Sequence, residues 1–197
     1  MPTPIGHALA GLAIAWSAES IRRVPLGTPA LSTLAVTCAA LATAPDLDFI
    51  YPPVHRMMSH SVTAVTAVVV LTALVARRAY PHAPGLFALV SALAYASHLA
   101  LDWMGTDAKL ARGIQLLWPF SDAWFISSLE VFRVTRLRGF FIPGVMRMNS
   151  LAVVQELLII APIVWGAWFL RSRSTAPRDA SPLMSSRNRL VPQPPRG

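Results

Sequence analysis

Five long apolar runs, separated by short polar segments, dominate the hydrophobic pattern of the chain. They cover residues 5–20, 29–44, 61–76, 84–104 and 148–170. None alternates apolar and polar positions over ~10 residues, as the strands of a membrane barrel do, so each run is predicted to be a helix. The last two runs approach the ~20 residues that cross a ~30 Å hydrocarbon layer, whereas the first three are marginal. The pattern therefore predicts an all-α fold, a polytopic membrane bundle of about five transmembrane or membrane-embedded helices.

Proline-rich breaks separate the runs, and Pro45 is predicted to end the second helix. The longest connection, residues 105–147, places aromatic clusters between charges. We predict an interfacial loop region there, with a short amphipathic helix near residues 121–136 at the lipid surface. Residues 1–172 would then form one membrane-embedded domain. Residues 173–197, rich in Arg, Ser and Pro, are predicted to be a disordered basic tail.

Composition narrows the class of protein further. Of the 197 residues, 54% are hydrophobic and 13% are charged, against about 25% charged in an ordinary soluble domain. This excludes a disordered chain and indicates membrane lipid as the main partner. The net charge of +8 is scattered in pairs between apolar runs rather than gathered on one face, so direct nucleic-acid binding is not expected. Cys38 is the single cysteine, which excludes an intrachain disulfide and a CxxC site.

Seven ionisable residues border or interrupt the apolar runs, and under any alternating topology they fall at the same membrane face. They are His7, Asp46, Asp48, His55, His60, His98 and Asp102. His98 and Asp102 are four residues apart on a predicted helix, so their side chains leave one face. Asp46 and Asp48 flank Leu47, and an extended backbone would point both carboxylates the same way. His55 is expected in a loop and His60 at the start of the third helix.

This set of residue types indicates a divalent metal. Three carboxylates near helix C-termini meet the negative end of the helix dipole, where a cation is favoured. Mixed His and Asp ligands suit zinc best, with manganese, iron and nickel as alternatives, whereas calcium and magnesium prefer oxygen ligands. Because a catalytic zinc usually takes three protein ligands, seven candidates imply either two ions or residues that orient ligands or act as general base. Glu19 and Glu156 lack histidine partners and are expected to serve helix packing or to snorkel to the membrane surface. His82 falls in the opposite loop and is excluded from the site.

Arginine clusters suggest an orientation. If all five runs span, the loops 21–28 and 77–83 share a side with the C-terminal tail, and that side carries three arginine clusters. The positive-inside rule makes it cytoplasmic and the face of the seven residues periplasmic. The basic residues of the 105–147 loop weigh against this assignment.

Four stretches in order, extended by a fifth, resemble a known family over most of residues 1–121. They are PIGHALAGLA, APDLD at 44–48, HRMMSHS at 55–61, SHLALD at 97–102 and LLWPFS at 116–121. The sequence resembles the YdjM family of membrane-bound, metal-dependent hydrolases, also described as LexA-binding inner-membrane proteins. The resemblance implies a bacterial inner-membrane protein with a hydrolase-type metal centre, distantly similar to zinc-dependent phospholipase C and P1 nuclease, which cleave phosphate esters. By motif position, the resemblance assigns the metal-centre residues of the family to the same seven residues of this sequence. The family more often has a small residue and Thr where Met57, Met58 and Ser59 stand, which bears on substrate fit more than on metal binding.

The expected function is hydrolysis of a phosphoester, such as that of a phospholipid, by metal-activated water. An Asp that is not a ligand, Asp48 or Asp102, would accept the proton, and Arg56 would bind the phosphate bidentately. The alternative is a non-enzymatic membrane protein. It would use the same cluster for a structural metal, for ion passage, or for docking a regulatory protein partner.

Overall fold

The computed structural model describes residues 2–22, 31–51, 55–79, 81, 83–106, 113–136 and 138–175. Five α-helices occur in this part of the chain: α1 (Pro4–Arg22), α2 (Thr33–Thr43), α3 (Val62–Ala79), α4 (Pro84–Trp103) and α5 (Pro143–Thr175). A 3₁₀ helix, Ala44–Ile50, follows α2 directly. The described residues form no strand, only two isolated bridges. The predicted all-α fold is therefore confirmed. His82 and residues 176–197 of the predicted tail lie outside the described residues.

Four helical stretches are long and apolar enough to cross a membrane: Thr33–Ile50, Val62–Ala79, Pro84–Trp103 and Pro143–Ser174. The first joins α2 to the 3₁₀ helix, which supplies the length that α2 alone lacks. By the same measure α1 is not a candidate span, but it packs along α2, α4 and α5. Helix α5 has 33 residues, or about 50 Å at 1.5 Å per residue, so it extends beyond a ~30 Å hydrocarbon layer.

The core lies between α1, α2 and α4, where small residues allow the helices to approach closely. Ala15, Ala35, Cys38 and Ala94 are all fully buried there. A Cβ atom on Gly11 would lie 2.4 Å from the carbonyl oxygen of Cys38. Glycine is therefore required where α1 crosses α2, as in other close contacts between membrane helices. This contact fixes the N-terminal half of α1, and with it His7, against the end of α2.

A buried ion pair joins the C-terminal end of α1 to α5. The Arg171 guanidinium of α5 pairs with the carboxylate of Glu19 in α1, and the Ser32 hydroxyl, which precedes α2, donates to the same carboxylate. All three side chains are buried. The expected packing role of Glu19 thus takes the form of a salt bridge that ties three segments together.

Replacing Arg171 with alanine should lower the free energy of unfolding by about 3–5 kcal/mol, because it leaves the Glu19 carboxylate buried without its cation. Chemical unfolding in mixed detergent micelles measures this loss. Arg173→Ala is the matched control. Arg173 is exposed and its guanidinium lies over the Phe169 ring, so its replacement should lower the free energy of unfolding much less. Equal losses in the two variants would contradict the assignment.

The predicted extended backbone at Asp46 and Asp48 is wrong. Asp46 and Asp48 lie in the 3₁₀ helix rather than in an extended segment, because proline is tolerated in the first turn of a helix and Pro45 lies in the first turn of this one. At about 120° per residue, the two carboxylates point in different directions.

The predicted amphipathic helix near residues 121–136 is also wrong, since these residues form no helix. Their backbone groups are taken up by the ends of neighbouring segments instead. Phe125 exchanges two hydrogen bonds with Ile114, and the amides of Ser127 and Val131 donate to the carbonyls of Trp103 and Met104. The segment therefore closes over the C-terminal end of α4. At the far boundary, α5 continues to Thr175, three residues beyond the predicted domain end at residue 172.

Candidate metal centre

The structure brings all seven candidate residues together at one end of the helix bundle. Helix α1 supplies His7, the 3₁₀ helix supplies Asp46 and Asp48, and the last two turns of α4 supply His98 and Asp102. His55 and His60 lie in the turn before α3. Side-chain contacts of 3.5 Å or less link them into one cluster. Asp48 contacts His55 and His60, Asp102 contacts His60, His98 and His7, and Asp46 contacts His98.

Four of these residues surround a common point. The Nε2 atoms of His60 and His98 lie 3.1 Å apart, and Asp102 Oδ2 lies 3.4 Å from the first and 3.5 Å from the second. Asp46 Oδ1 lies 3.5 Å from His98 Nε2, and all four atoms fall within 4.8 Å of one another. Ligands of a tetrahedral zinc ion at 2.0–2.2 Å are about 3.3–3.6 Å apart. The donors of His60, His98 and Asp102 therefore have about the spacing of zinc ligands, and Asp46 Oδ1 matches this spacing from His98.

Hydrogen bonds at the far side of each ring turn Nε2 of both histidines towards that point. His98 Nδ1 lies 2.7 Å from the carbonyl oxygen of Ala42, so Nδ1 must carry the proton. His60 Nδ1 lies 3.0 Å from Ser59 Oγ and 3.2 Å from Asp48 Oδ2. With its proton on Nδ1, His98 has a free Nε2 lone pair, and His60 would present Nε2 in the same way once an ion displaces the proton on that atom. An acceptor behind the ring is the arrangement that usually orients a metal-binding histidine.

Asp48 is the acceptor behind His60 and belongs to an outer layer of the site. Its Oδ1 meets His55 Nδ1 at 2.5 Å. Its Oδ2 accepts from the Arg56 amide at 2.8 Å and from the Ser59 hydroxyl at 2.7 Å. With His60 as the fourth contact, the carboxylate is fully engaged. Asp48 can therefore orient His60, and it lies outside the group of four residues whose donor atoms fall within 4.8 Å of one another.

His7 is a buried imidazole with few anchors of its own. Its ring stacks on that of His98 with centroids 3.7 Å apart, and its Nε2 lies 3.3 Å from Asp102 Oδ1. Neither ring nitrogen forms a hydrogen bond of good geometry within the described part of the chain. A fully buried imidazole without such bonds is costly, and the donor chemistry around it suits a cation. His7 can hold Asp102 from behind, or ligate a second ion.

Access to the cluster is one-sided. His7, His60, His98 and Asp102 are buried, whereas the side chains of Asp46 and His55 are 16% and 19% exposed. The site therefore opens along the 3₁₀ helix and the turn before α3. Among the inner four residues, Asp46 is the one whose side chain is partly exposed in the described structure.

The charge of the cluster depends on the protonation of His60, which precedes the membrane-spanning part of α3. Burial alone would lower the pKa of His60, but hydrogen bonds to the Asp102 and Asp48 carboxylates outweigh it and raise this pKa to about 9. A proton on His60 thus offsets part of the buried negative charge. A divalent cation at the same position would replace that proton.

Three features of the site were missed in the sequence. Ser59 bridges Asp48 and His60, the hydroxyl of Tyr95 donates to the Ser59 carbonyl at 2.6 Å, and the Ala42 carbonyl anchors His98. Ser59 lies within the HRMMSHS stretch, whose position next to His60 was a usable signal. A backbone carbonyl has no sequence signal. Arg56 adopts a left-handed backbone with φ of 67°, and its amide rather than its side chain makes the contact to Asp48.

Comparison with protein families finds one described as YdjM inner membrane protein, whose sequence model matches residues 1–174. Comparisons with curated proteins and with solved structures find no match. The matched region contains the whole cluster and ends within α5.

Proposed function

Because the chain belongs to the YdjM family of inner membrane proteins, we propose that it is a membrane-bound, metal-dependent hydrolase that cleaves a phosphoester at the membrane surface. The observation that supports this proposal most is the spacing of the inner four donors. Three of them, on His60, His98 and Asp102, lie 3.1–3.5 Å apart and are buried, while Asp46 stands at the open side. Three buried protein ligands and one accessible coordination position are typical of catalytic rather than structural zinc.

Zinc is the proposed ion because two imidazoles and carboxylate oxygen form a mixed donor set, with manganese, iron and nickel as alternatives. When bound, it would supply the Lewis acidity that activates water and polarises the phosphoryl group. Asp48 and His55 would hold His60, and the Ala42 carbonyl would hold His98. His7 would hold the second oxygen of Asp102. In this assignment one ion suffices, and the remaining candidates form its outer layer.

Asp46 is the proposed general base. Asp48 and Asp102, the two candidates from the sequence, are each engaged by several donors, whereas the Asp46 carboxylate is partly exposed at the entrance. Water attacks phosphorus, the ester P–O bond breaks, and Asp46 takes the proton of water and returns it to the leaving alkoxide. Arg56, next to His55 at this entrance, is proposed to bind the phosphate.

A phospholipid is the proposed substrate, because the site opens beside helices that cross the bilayer. Phe120 and Phe141, in the connections after α4, are almost fully exposed, as expected of side chains at a lipid surface. The test is direct. Purified protein in detergent is analysed for bound metal, and then for hydrolysis of a phospholipid and of a water-soluble phosphodiester. Turnover of either substrate that depends on the metal supports the proposal.

The second candidate function is structural metal binding, and one observation favours it. Four protein donors fall within 4.8 Å of one another, so Asp46 could close a tetrahedron and leave no position for water. Tightly bound metal without turnover of any substrate would favour this alternative, which also accommodates a regulatory protein partner.

We propose that the site faces the periplasm. Arg77 and Arg78 lie exposed in the last turn of α3, at the end opposite to the cluster, where the positive-inside rule places cytoplasm. In a Cys38→Ser background, Ala123→Cys should therefore react with a membrane-impermeant maleimide on intact spheroplasts. Reaction only after the membrane is broken would reverse the orientation.

Metal affinity should rise with pH between about 6.5 and 8.5. The proton that the metal-free protein holds on His60, with a pKa of about 9, must leave when Nε2 binds an ion. Each proton released makes affinity ~10-fold weaker per unit fall in pH. Competition with a zinc-binding dye across this range measures the slope. An affinity independent of pH would contradict the assignment of His60 as a ligand.

A further inference from the structure

Glu156 is a buried carboxylate in the middle of α5 that neither the metal site nor the proposed reaction uses. Both of its oxygens accept from the Thr3 amide, at 3.1 and 3.0 Å, and Oε1 also accepts from the Thr3 hydroxyl at 3.0 Å. Thr3 stands immediately before α1. An ionisable side chain inside a membrane helix is costly and calls for a specific role. Here an acid on one helix caps the N-terminus of another, where the dipole favours negative charge.

The capped turn is the one that carries His7. The carbonyl of Thr3 accepts from the His7 amide at 3.2 Å, so one residue binds Glu156 through its amide and His7 through its carbonyl. Gly6 lets the carboxylate lie against this turn, because a Cβ atom there would fall 1.6 Å from Glu156 Oε1. Glu156 is therefore held against the backbone directly before His7.

His7 needs this support more than the other buried histidines. The rings of His60 and His98 are each held by a hydrogen bond at Nδ1, whereas the ring of His7 has no such bond within the described residues. Its position over His98 and beside Asp102 depends on the backbone of the first turn of α1. Helix ends fray when their amides are not capped.

We infer that Glu156 is a positioning residue for the metal centre: from α5 it holds the first turn of α1, so that His7 stays against Asp102 and His98. The inference rests on the proposed function in so far as the centre binds a metal. It assigns a site role to an acid that the sequence had placed in helix packing. It also links α5 to a cluster whose seven members lie on other segments.

The test compares Glu156→Ala with Glu156→Gln and with Glu19→Gln. Glutamine keeps an oxygen for the Thr3 amide, so Glu156→Gln should keep most of the metal affinity of the wild-type protein. Glu19→Gln weakens the other buried contact between α1 and α5 and reports what loss of helix packing does by itself. Co²⁺ binding, followed by its visible absorption spectrum, should be about tenfold weaker in Glu156→Ala, as for other residues that orient ligands. It should be unchanged in Glu19→Gln, even if that variant melts at a lower temperature.

A second readout does not require a metal. In protein labelled with ¹⁵N-histidine, the ring signals of His7 should shift or broaden in Glu156→Ala and stay in place in Glu19→Gln. Unaltered His7 signals in Glu156→Ala, or equal changes in the two variants, would overturn the inference. If the wild-type protein binds no metal while the His7 signals respond as expected, the proposed function fails and the positioning role stands.

Discussion

His98→Ala should abolish stoichiometric metal binding, with a loss of affinity greater than the ~10–100-fold typical of residues that merely orient ligands. Its Nε2 lies within 3.5 Å of the donors on His60, Asp102 and Asp46, so it is the atom that contacts every other member of the inner group. The ring also stacks on His7. Removing the His98 ring takes away a ligand and also the surface on which the His7 ring stacks. Metal analysis of the purified variant, together with zinc titration, measures the effect.

His82→Ala is the matched control, since His82 is the histidine that topology assigns to the other membrane face. It should bind metal as the wild-type protein does. A melting temperature for each variant separates loss of the site from loss of the fold. Equal loss of metal in both would contradict the assignment of the cluster to one face. Full retention of metal in folded His98→Ala would remove His98 from the ligand set.

The convergence of the seven residues was predictable because helices that cross a membrane alternate in direction. Once the apolar runs are located, the ends that carry His7, His60 and Asp102 must meet at one face. This inference needs no side-chain geometry. It also survives the finding that α1 is not itself long and apolar enough to be a candidate span, because α1 still lies along the bundle in the expected direction.

The roles within the cluster were not predictable, because they depend on local turns. The α-helix ends at Thr43, before Pro45, but a 3₁₀ helix with Pro45 in its first turn continues the chain. This turn directs Asp46 towards His98 and Asp48 towards His60. Two carboxylates with the same sequence neighbourhood thereby acquire different positions. In the same way, the polar pattern of residues 121–136 suits a helix, yet their backbone groups pair with Ile114 and with the C-terminal end of α4 instead.

Long-range partners are the other limit of sequence reasoning. Glu156 and Thr3 are 153 residues apart, and Glu19 and Arg171 are 152 apart. In the sequence each acid stands alone in an apolar run, and only the packing of α5 on α1 supplies its partner. A buried acid in a membrane helix can be recognised as requiring a partner, but the sequence alone does not identify it.

Asp46→Asn should separate the two candidate functions. Asparagine keeps the size and one oxygen of Asp46 but cannot accept a proton from water at neutral pH. If Asp46 is the general base of an open site, the variant keeps metal affinity within a few-fold and loses turnover by about 10²–10⁴-fold, the usual contribution of general base catalysis. The partly exposed position of Asp46, against the burial of Asp102, His60 and His98, is the reason to expect this outcome.

The measurement pairs zinc titration with the rate of phosphodiester hydrolysis on the same preparation. Asp122→Asn is a suitable control, because Asp122 is an exposed carboxylate in the connection after α4 and should leave both quantities unchanged. If Asp46 instead completes a closed tetrahedron, Asp46→Asn weakens metal binding strongly and there is no turnover to lose. A protein that keeps both its metal and its full rate without the Asp46 carboxylate would show that another group accepts the proton.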